Sequence, residues 1–400
     1  MSLPLNQIQL AAQQTFPATI EFARQLISIP SMSGKESHIA QAIANEMTRL
    51  GYDEVRTDQA GNVIGKISGG DGPAVILNGH MDHVDAGPAE NWPYPPFSGQ
   101  IVDNELWGRG SLDMKGPVAC MIHAAAIFKQ LGLAPPGDVY VTIAVFEELG
   151  GLGTQHLTSH LKAQAAICGE PSHNVLRRGH RGRVELVAEF IGKPIHASVP
   201  HLGLNPHYGA AAFIQALAGL SMPNDSTLGA STVAPTLYRT DQISPNVVPG
   251  HVYLTLDWRN IPQETPAEVV QKLQSLLDAT LAGSDLTATV AVTTTKLTTY
   301  TGLSVDFPSI FPSFLLPEAH PLVQAAHQSL VEVLGRDDGI NIWRFATDGG
   351  HLMMAGIPTV GFGPGDETLA HTNQERLNLD QMKESIAGYA AITLALGQAA

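Results

Sequence analysis

Four side chains that bind cations and exchange protons, His80, Asp82, His83 and Asp85, fall at the end of the apolar run AVILNG, residues 74–79. The run reads as a buried strand, so these groups sit where a strand ends. Other groups of the same kind recur at comparable places. Glu147 and Glu148 close DVYVTIAVFEE, and Glu170 closes AICGE. Asp113 in GRGSLDMKG precedes a helix, and His371 in LAHTNQE follows the last expected strand. Open α/β sheets collect ligands at the carboxyl ends of their strands. Carboxylates gathered there repel one another, and burying each costs several kcal/mol unless a cation neutralises it. Imidazoles with carboxylates suit zinc or a similar ion, whereas oxygen alone suits magnesium or calcium. Each residue alone has a plainer role. Asp113 could cap its helix, Glu147 and Glu148 could be solvated, and His80 and His371 could be hydrogen-bonded loop residues. For His83 and Asp85 the loop reading is preferred. The shared strand-end placement of the others favours a metal site.

The elements that must position these groups follow from periodicity. PATIEFARQLISI and SGKESHIAQAIANEMTRLG have helical spacing, the second with a capping-box pattern at Ser33 and Glu36. NVIGKI and PAVILNG read as strands, GPVACMIHAAAIFKQLG as a helix, and DVYVTIAVF and AQAAICG as strands. This alternation predicts an α/β domain with a mostly parallel sheet flanked by helices. Near Arg183 the texture changes. RVELVAEFIG, STVAPTLYRT, HVYLTLDWRN and DLTATVAVTTTKL alternate as half-exposed strands, with helices in NPHYGAAAFIQALAGL and TPAEVVQKLQSLLDATL. Strand–helix alternation resumes after DFPSIFPSFLLP. The expected arrangement is a discontinuous domain, 1–182 and 313–400, with an α+β domain inserted at 183–312.

Bulk properties narrow the function. Hydrophobic residues make up 44% of the 400, enough for packed cores. The net charge of -15, with one basic cluster at RRGHRGR, argues against a nucleic-acid partner. No run approaches a membrane span, and MSLPLNQIQLAAQQTF does not read as a signal peptide, so no membrane association and a cytoplasmic location are expected. Cys120 and Cys168 read as buried free thiols, so any metal must use His, Asp and Glu.

The motifs GHMDHVD, GRGSLDMKG, FEELGGLGT, CGEPS and AHTNQE, in this order, resemble those of the dinuclear zinc amidohydrolases grouped as peptidase family M20. That group includes acetylornithine deacetylase, succinyl-diaminopimelate desuccinylase, aminoacylase-1 and glutamate carboxypeptidase. The resemblance implies a zinc-peptidase-like catalytic domain, an inserted lid and dimerisation domain, and a homodimer. It implies two divalent ions per subunit, with zinc expected and cobalt or manganese as alternatives. His80 and Glu170 would bind the first ion, Glu148 and His371 the second, and Asp113 would bridge both. A cis bond is implied at Asp113–Met114. Asp82, two residues beyond His80 and therefore on its strand face, would orient the site, and Glu147 would be the general base. GKPIHASVP resembles the family stretch whose histidine reaches the neighbouring active site, so His196 would be a candidate oxyanion stabiliser for the partner subunit. SPNVVPG supplies Asn246 and LDWRN supplies Arg259 as substrate-binding residues, with a surface ion pair as the alternative for Arg259.

Two segments depart from the family pattern or its usual texture: ATDGGH, residues 346–351, and NWPYPPFSGQIVDNELWGRG, where Trp92 and Tyr94 could pack the entrance. The expected reaction is hydrolysis of an N-acyl amino acid, with Glu170 favouring a deacylase. A carboxypeptidase or dipeptidase acting on short peptides is the alternative. A non-enzymatic metal-holding scaffold is disfavoured, because every expected position is filled.

Overall fold

The computed structural model describes residues 4–400, so the first three residues of the N-terminal stretch lie outside the described residues. The chain forms two compact units. One runs up to His180 and takes in Lys296–Val305 and Leu315–Ala400; the other comprises Arg181–Thr295 and Asp306–Phe314. Lys296–Val305, which the sequence pattern placed in the inserted stretch, groups with the first unit. Tyr300 Oη donates to the Gly61 carbonyl at 2.9 Å, and Thr301 Oγ1 to that of Gln59 at 2.7 Å.

The first unit holds an eight-stranded sheet in the order Glu54–Thr57, Val63–Ile67, Val139–Ala144, Val75–His80, Ala165–Cys168, Thr359–Gly361, Leu176–Arg177, Ile340–Asn341. The four strands from Val139–Ala144 to Thr359–Gly361 run parallel. Glu54–Thr57, Val63–Ile67 and Leu176–Arg177 join antiparallel to their inner neighbours. Side chains alternate across a strand. A Cβ on Gly79 would meet Met121 of the helix Gly116–Gln130, whereas Ile76 packs with Leu157 and Leu352 on the other face. His80 therefore shares the face of Ile76 and Asn78. Helix Gly116–Gln130 is buried from Gly116 to Phe128, as its apolar circumference requires, and packs against Leu5–Ile27 and Leu379–Ala399.

Several local expectations need correction. The helix expected from Pro17 starts instead at Leu5 and runs to Ile27. Its buried stripe, Ile8, Ala11, Ala12, Thr15 and Thr19, carries the helical repeat past the proline, and that burial offsets the missing N–H. The capping box at Ser33 and Glu36 does not form. The helix begins at Ser37 without a side-chain cap, and the Ser33 hydroxyl donates to Asp82 Oδ2 at 2.6 Å. The run DLTATVAVTTTKL splits into strands Thr287–Val292 and Thr294–Thr298, and between them Thr293 N donates to the Glu185 carbonyl. Cys120 and Cys168 are buried free thiols. Among the described residues no helix is long and apolar enough to cross a membrane.

The second unit is an antiparallel sheet in the order Thr232–Thr240, His251–Arg259, Arg183–Ile191, Thr287–Val292, with Ile310–Phe311 also paired to Arg183–Ile191. Val184, Leu186, Ala188 and Phe190 alternate inward and meet Val252, Leu254, Leu256 and Trp258, all buried, with Phe213, Leu273 and Leu277 of helices Pro206–Ala218 and Pro266–Thr280. Here the capping box does form, between Thr265 and Glu268. Pro235 lies on the edge strand Thr232–Thr240, where its missing N–H breaks no interior ladder, and the register shifts between Pro235 and Leu237.

Candidate metal centre

His80 is the last residue of its strand and is buried. Its Nδ1 lies 3.0 Å from the backbone carbonyl of Asp82, an acceptor only, so the proton belongs on Nδ1 and Nε2 is left as a donor atom for a cation. That Nε2 is 3.0 Å from Asp113 Oδ1 and 3.5 Å from Glu170 Oε1. The other Asp113 oxygen, Oδ2, is 3.1 Å from His371 Nε2, which is also 3.1 Å from Glu148 Oε2. One carboxylate thus spans two imidazoles. Donor atoms of His80, Glu147 and Glu170, and of His80, Asp113 and Glu148, lie within 4.8 Å of one another in two overlapping groups. Glu147 therefore stands among the ligand candidates as well as beside them.

The backbone is bent to bring these groups together. The strand Val139–Ala144 ends before Val145, and Phe146 takes φ 56° just ahead of the two glutamates; His371 has φ 62°. Non-glycine residues in this region are uncommon and concentrate at functional sites. The peptide bond Asp113–Met114 is cis. The Asp113 turn is anchored from far along the chain: Glu375 Oε1 accepts the N–H groups of Leu112 and Asp113, each at 3.1 Å, and Glu375 Oε2 pairs with buried Arg109. Asp82 does not act through a shared strand face, because the strand stops at His80. Instead its carboxylate accepts from Glu147 N at 3.1 Å, Glu148 N at 3.3 Å and Ser33 Oγ.

Left to protons alone, this cluster is electrostatically distorted. Burial drives the Glu147 and Glu170 carboxyls well above their usual range, with neighbouring carboxylates adding to it, and burial and Asp113 raise Glu148. Burial also opposes charge on Asp113, but hydrogen bonds from His371 and His80 outweigh it and hold that carboxyl low. Hydrogen bonds to Asp113 and Glu148 push His371 up to about 10. Protons are thus retained on acids and imidazoles where divalent cations would serve the same balance. Glu148 Oε1 is buried with no hydrogen-bond partner. The donor set of imidazoles and carboxylates and this orphaned oxygen fit a cation pair.

Sequence reasoning missed three contributors. Ser33 and Glu375 act as just described. Asp348, buried in ATDGGH, accepts from Thr154 Oγ1 at 2.6 Å, and burial pushes its carboxyl up to about 6. Its signal was the departure of ATDGGH from the family pattern, with an acid set before two glycines. His83 is buried and hydrogen-bonded at both ring nitrogens, to Ser31 N and the Val84 carbonyl, while Asp85 accepts from Gly87 N. Trp92 is buried, with its Nε1 on the Ala86 carbonyl, and Tyr94 stacks edge-on against Trp107.

His196, Asn246 and Arg259 belong to the second unit. His196 pairs with Val247 in a short ribbon, and Ala197 N donates to the Asn246 carbonyl, so His196 and Asn246 are neighbours, both exposed. His196 Nδ1 is 2.7 Å from Ser198 Oγ. Arg259 is half-buried and meets Asp257 through Nε at 2.6 Å and Nη2 at 3.2 Å.

The sequence profile of Peptidase family M20/M25/M40 matches residues 76–395. The chain belongs to this family. Like other M20 peptidase-family members, it is a hydrolytic enzyme acting on amide bonds. It is 30% identical over 400 residues to the uncharacterized protein YgeY of Escherichia coli K12, covering 98% of each chain. It is 26% identical over 382 residues to a succinyl-diaminopimelate desuccinylase of Thioalkalivibrio sulfidiphilus, covering 91% of this chain and 95% of the relative. A solved M20 structure, the YXEP protein of Bacillus subtilis, described as a dinuclear metal binding peptidase, superposes with a TM-score of 0.73 at 17% identity, covering 97% of this chain and 100% of that one.

Proposed function

We propose that this M20 chain hydrolyses the amide bond of an N-acyl amino acid, using two divalent cations, zinc before cobalt or manganese. The observation that carries the reading is Asp113, whose two oxygens face His80 and His371 separately, with Glu148 and Glu170 beside them. His80 and Glu170 would hold one ion, His371 and Glu148 the other, and Asp113 both. When bound, the ions supply Lewis acidity that makes water a nucleophile at neutral pH and polarises the scissile carbonyl. Glu147 takes the proton from the attacking water and delivers it to the leaving nitrogen, so water and amide yield a carboxylic acid and an amine. Asp82 keeps both glutamates in place through their backbone N–H groups. His196 of the partner subunit donates to the developing oxyanion, and Asn246 and Arg259 bind the substrate. Arg259 must then exchange Asp257 for a substrate carboxylate.

The deacylase reading is supported by Glu170 and by the desuccinylase relative. A dipeptidase or carboxypeptidase reaction is the second reading, favoured by the peptidase description of the YXEP protein. Metal analysis of purified protein, followed by N-acetyl amino acids, N-succinyl amino acids and dipeptides as substrates, decides between them. Turnover of dipeptides alone removes the deacylase, and the absence of bound metal together with metal-independent turnover removes both.

A homodimer through the second unit is supported by its edge strand. Leu237 and Tyr238 on Thr232–Thr240, and Tyr208 on the helix Pro206–Ala218, are 66%, 45% and 76% exposed. Exposed apolar side chains on an unpaired edge are a liability that pairing with a second copy removes.

A further inference from the structure

We propose that Asp58, His156 and His160 form an additional divalent-cation site, separate in its residues from the candidate catalytic centre and taking a borderline ion such as zinc. The three side chains offer donor atoms that all lie within 4.8 Å of one another. His156 is in the helix Leu152–Thr158, and the chain keeps a helical turn beyond it, with Leu161 N bonded to the Leu157 carbonyl. His156 and His160 are therefore one turn apart on the same face, their ring centroids 5.2 Å apart. Such a pair can chelate a single ion, and a carboxylate completes a three-ligand set with a position open to water.

Asp58 is held ready for that part. Its Oδ1 accepts from Gly61 N and Asn62 N, each at 3.0 Å, and its Oδ2 from Asn62 Nδ2 at 2.8 Å. Its side chain is only 4% exposed, yet Oδ2 stands 3.5 Å from His160 Nε2. His160 Nδ1 lies 3.1 Å from the His156 carbonyl, an acceptor only, which places a proton on Nδ1. Nε2 then presents either a second N–H or a lone pair to Asp58. Two lone pairs at this distance repel, and a cation between them removes the repulsion. Ligands about 2.0–2.1 Å from a tetrahedral ion are about 3.3 Å apart. The His160–Asp58 pair already has nearly this spacing, and the His156 donor atom lies within 4.8 Å of both.

The site would fasten two segments that support the catalytic strand ends. Asn62, which grips Asp58, also donates to the Gly153 carbonyl and accepts from Val145 N. The helix Leu152–Thr158 carries Thr154, the partner of Asp348. A cation here would brace the wall behind Glu147 without entering the reaction.

The test uses untagged full-length protein equilibrated with excess zinc chloride near pH 7.5 and then measured for zinc per chain. His156→Asn/His160→Asn and Asp58→Asn leave every proposed ligand of the catalytic centre in place. Each is expected to hold one equivalent less than the wild type and to lose the zinc-dependent rise in thermal midpoint that this site supplies. Equal zinc content in wild type and a variant with unaltered circular dichroism overturns the site. Should the variants fail to fold, wild-type crystals soaked in zinc decide. An anomalous peak among Asp58, His156 and His160 supports the site, and no peak there overturns it.

Discussion

The backbone N–H of Glu147 donates to Asp82 Oδ1 at 3.1 Å. The same carboxylate also takes the N–H of Glu148 and the hydroxyl of Ser33. Asp82 is thus a clamp on the segment that carries both glutamates. Outer supports of this kind are typically worth about 10–100-fold in metal affinity or activity. Asp82→Ala is expected to lose activity and metal affinity in that range while remaining folded. Competition against a chelator, with kcat measured at saturating metal, checks it; wild-type values for both would show that the clamp is dispensable.

Glu147 lies among the ligand candidates, with His80 and Glu170, so its role needs a test that separates proton transfer from binding. Glu147→Gln keeps the size and removes the base. A lost general base costs about 10²–10⁴-fold in rate. The expected outcome is a loss of that order in kcat with wild-type metal content. If metal leaves together with activity, Glu147 is a ligand and the proton acceptor must be sought elsewhere.

The strand ends were legible because they obey short-range rules. An apolar run that stops at His80 declares its own boundary through period and composition, whereas the strand leading to Glu147 and Glu148 already ends at Ala144, short of the apolar run's end. What escaped were residues whose partners are remote in sequence. Glu375 meets Asp113 262 positions away, and Asp348 meets Thr154 194 positions away. Neither stretch has a local pattern that demands an acid. Ser33 misled for a related reason. Its spacing to Glu36 satisfies a capping box, but its hydroxyl is taken by Asp82 instead. Thr265 and Glu268 show the same pattern with no such competitor, and there the box forms.

If the edge strand Thr232–Thr240 joins two subunits and His196 serves the partner's site, assembly and catalysis fall together. Leu237→Glu/Tyr238→Glu places charge on the pairing surface and is expected to halve the sedimenting mass and to depress turnover. His196→Ala is expected to keep the dimer mass and lose rate by at least about ten-fold. Unchanged mass in the first variant removes this interface, and a fully active monomer removes the shared site.

Acid stability should carry the signature of a charged cluster outside the candidate centre's ligand set. Glu46 Oε1 and Oε2 receive Arg49 at 2.6 and 2.7 Å, and His123 Nε2 is 3.0 Å from Oε1. Burial works to raise the Glu46 carboxyl, but the hydrogen bonds from Arg49 and the closeness of the His123 imidazole outweigh it and bring it from an ordinary 4.5 down to about 2. Because the folded value is the lower one, the carboxylate's stabilisation is fully present above pH 4.5 and fades as pH falls toward 2. Glu46→Gln is therefore expected to cost about 1.5–3 kcal/mol at pH 7, the scale of hydrogen bonds to charged groups. The gap between variant and wild type should narrow steadily below pH 4.5, because acid removes from the wild type what the substitution has already removed. Urea denaturation of both proteins at pH 7, 4 and 3 reads this gap directly, and changes elsewhere in the molecule cancel in the difference. A gap that stays constant with pH would mean that Glu46 stabilises the fold by packing rather than by charge.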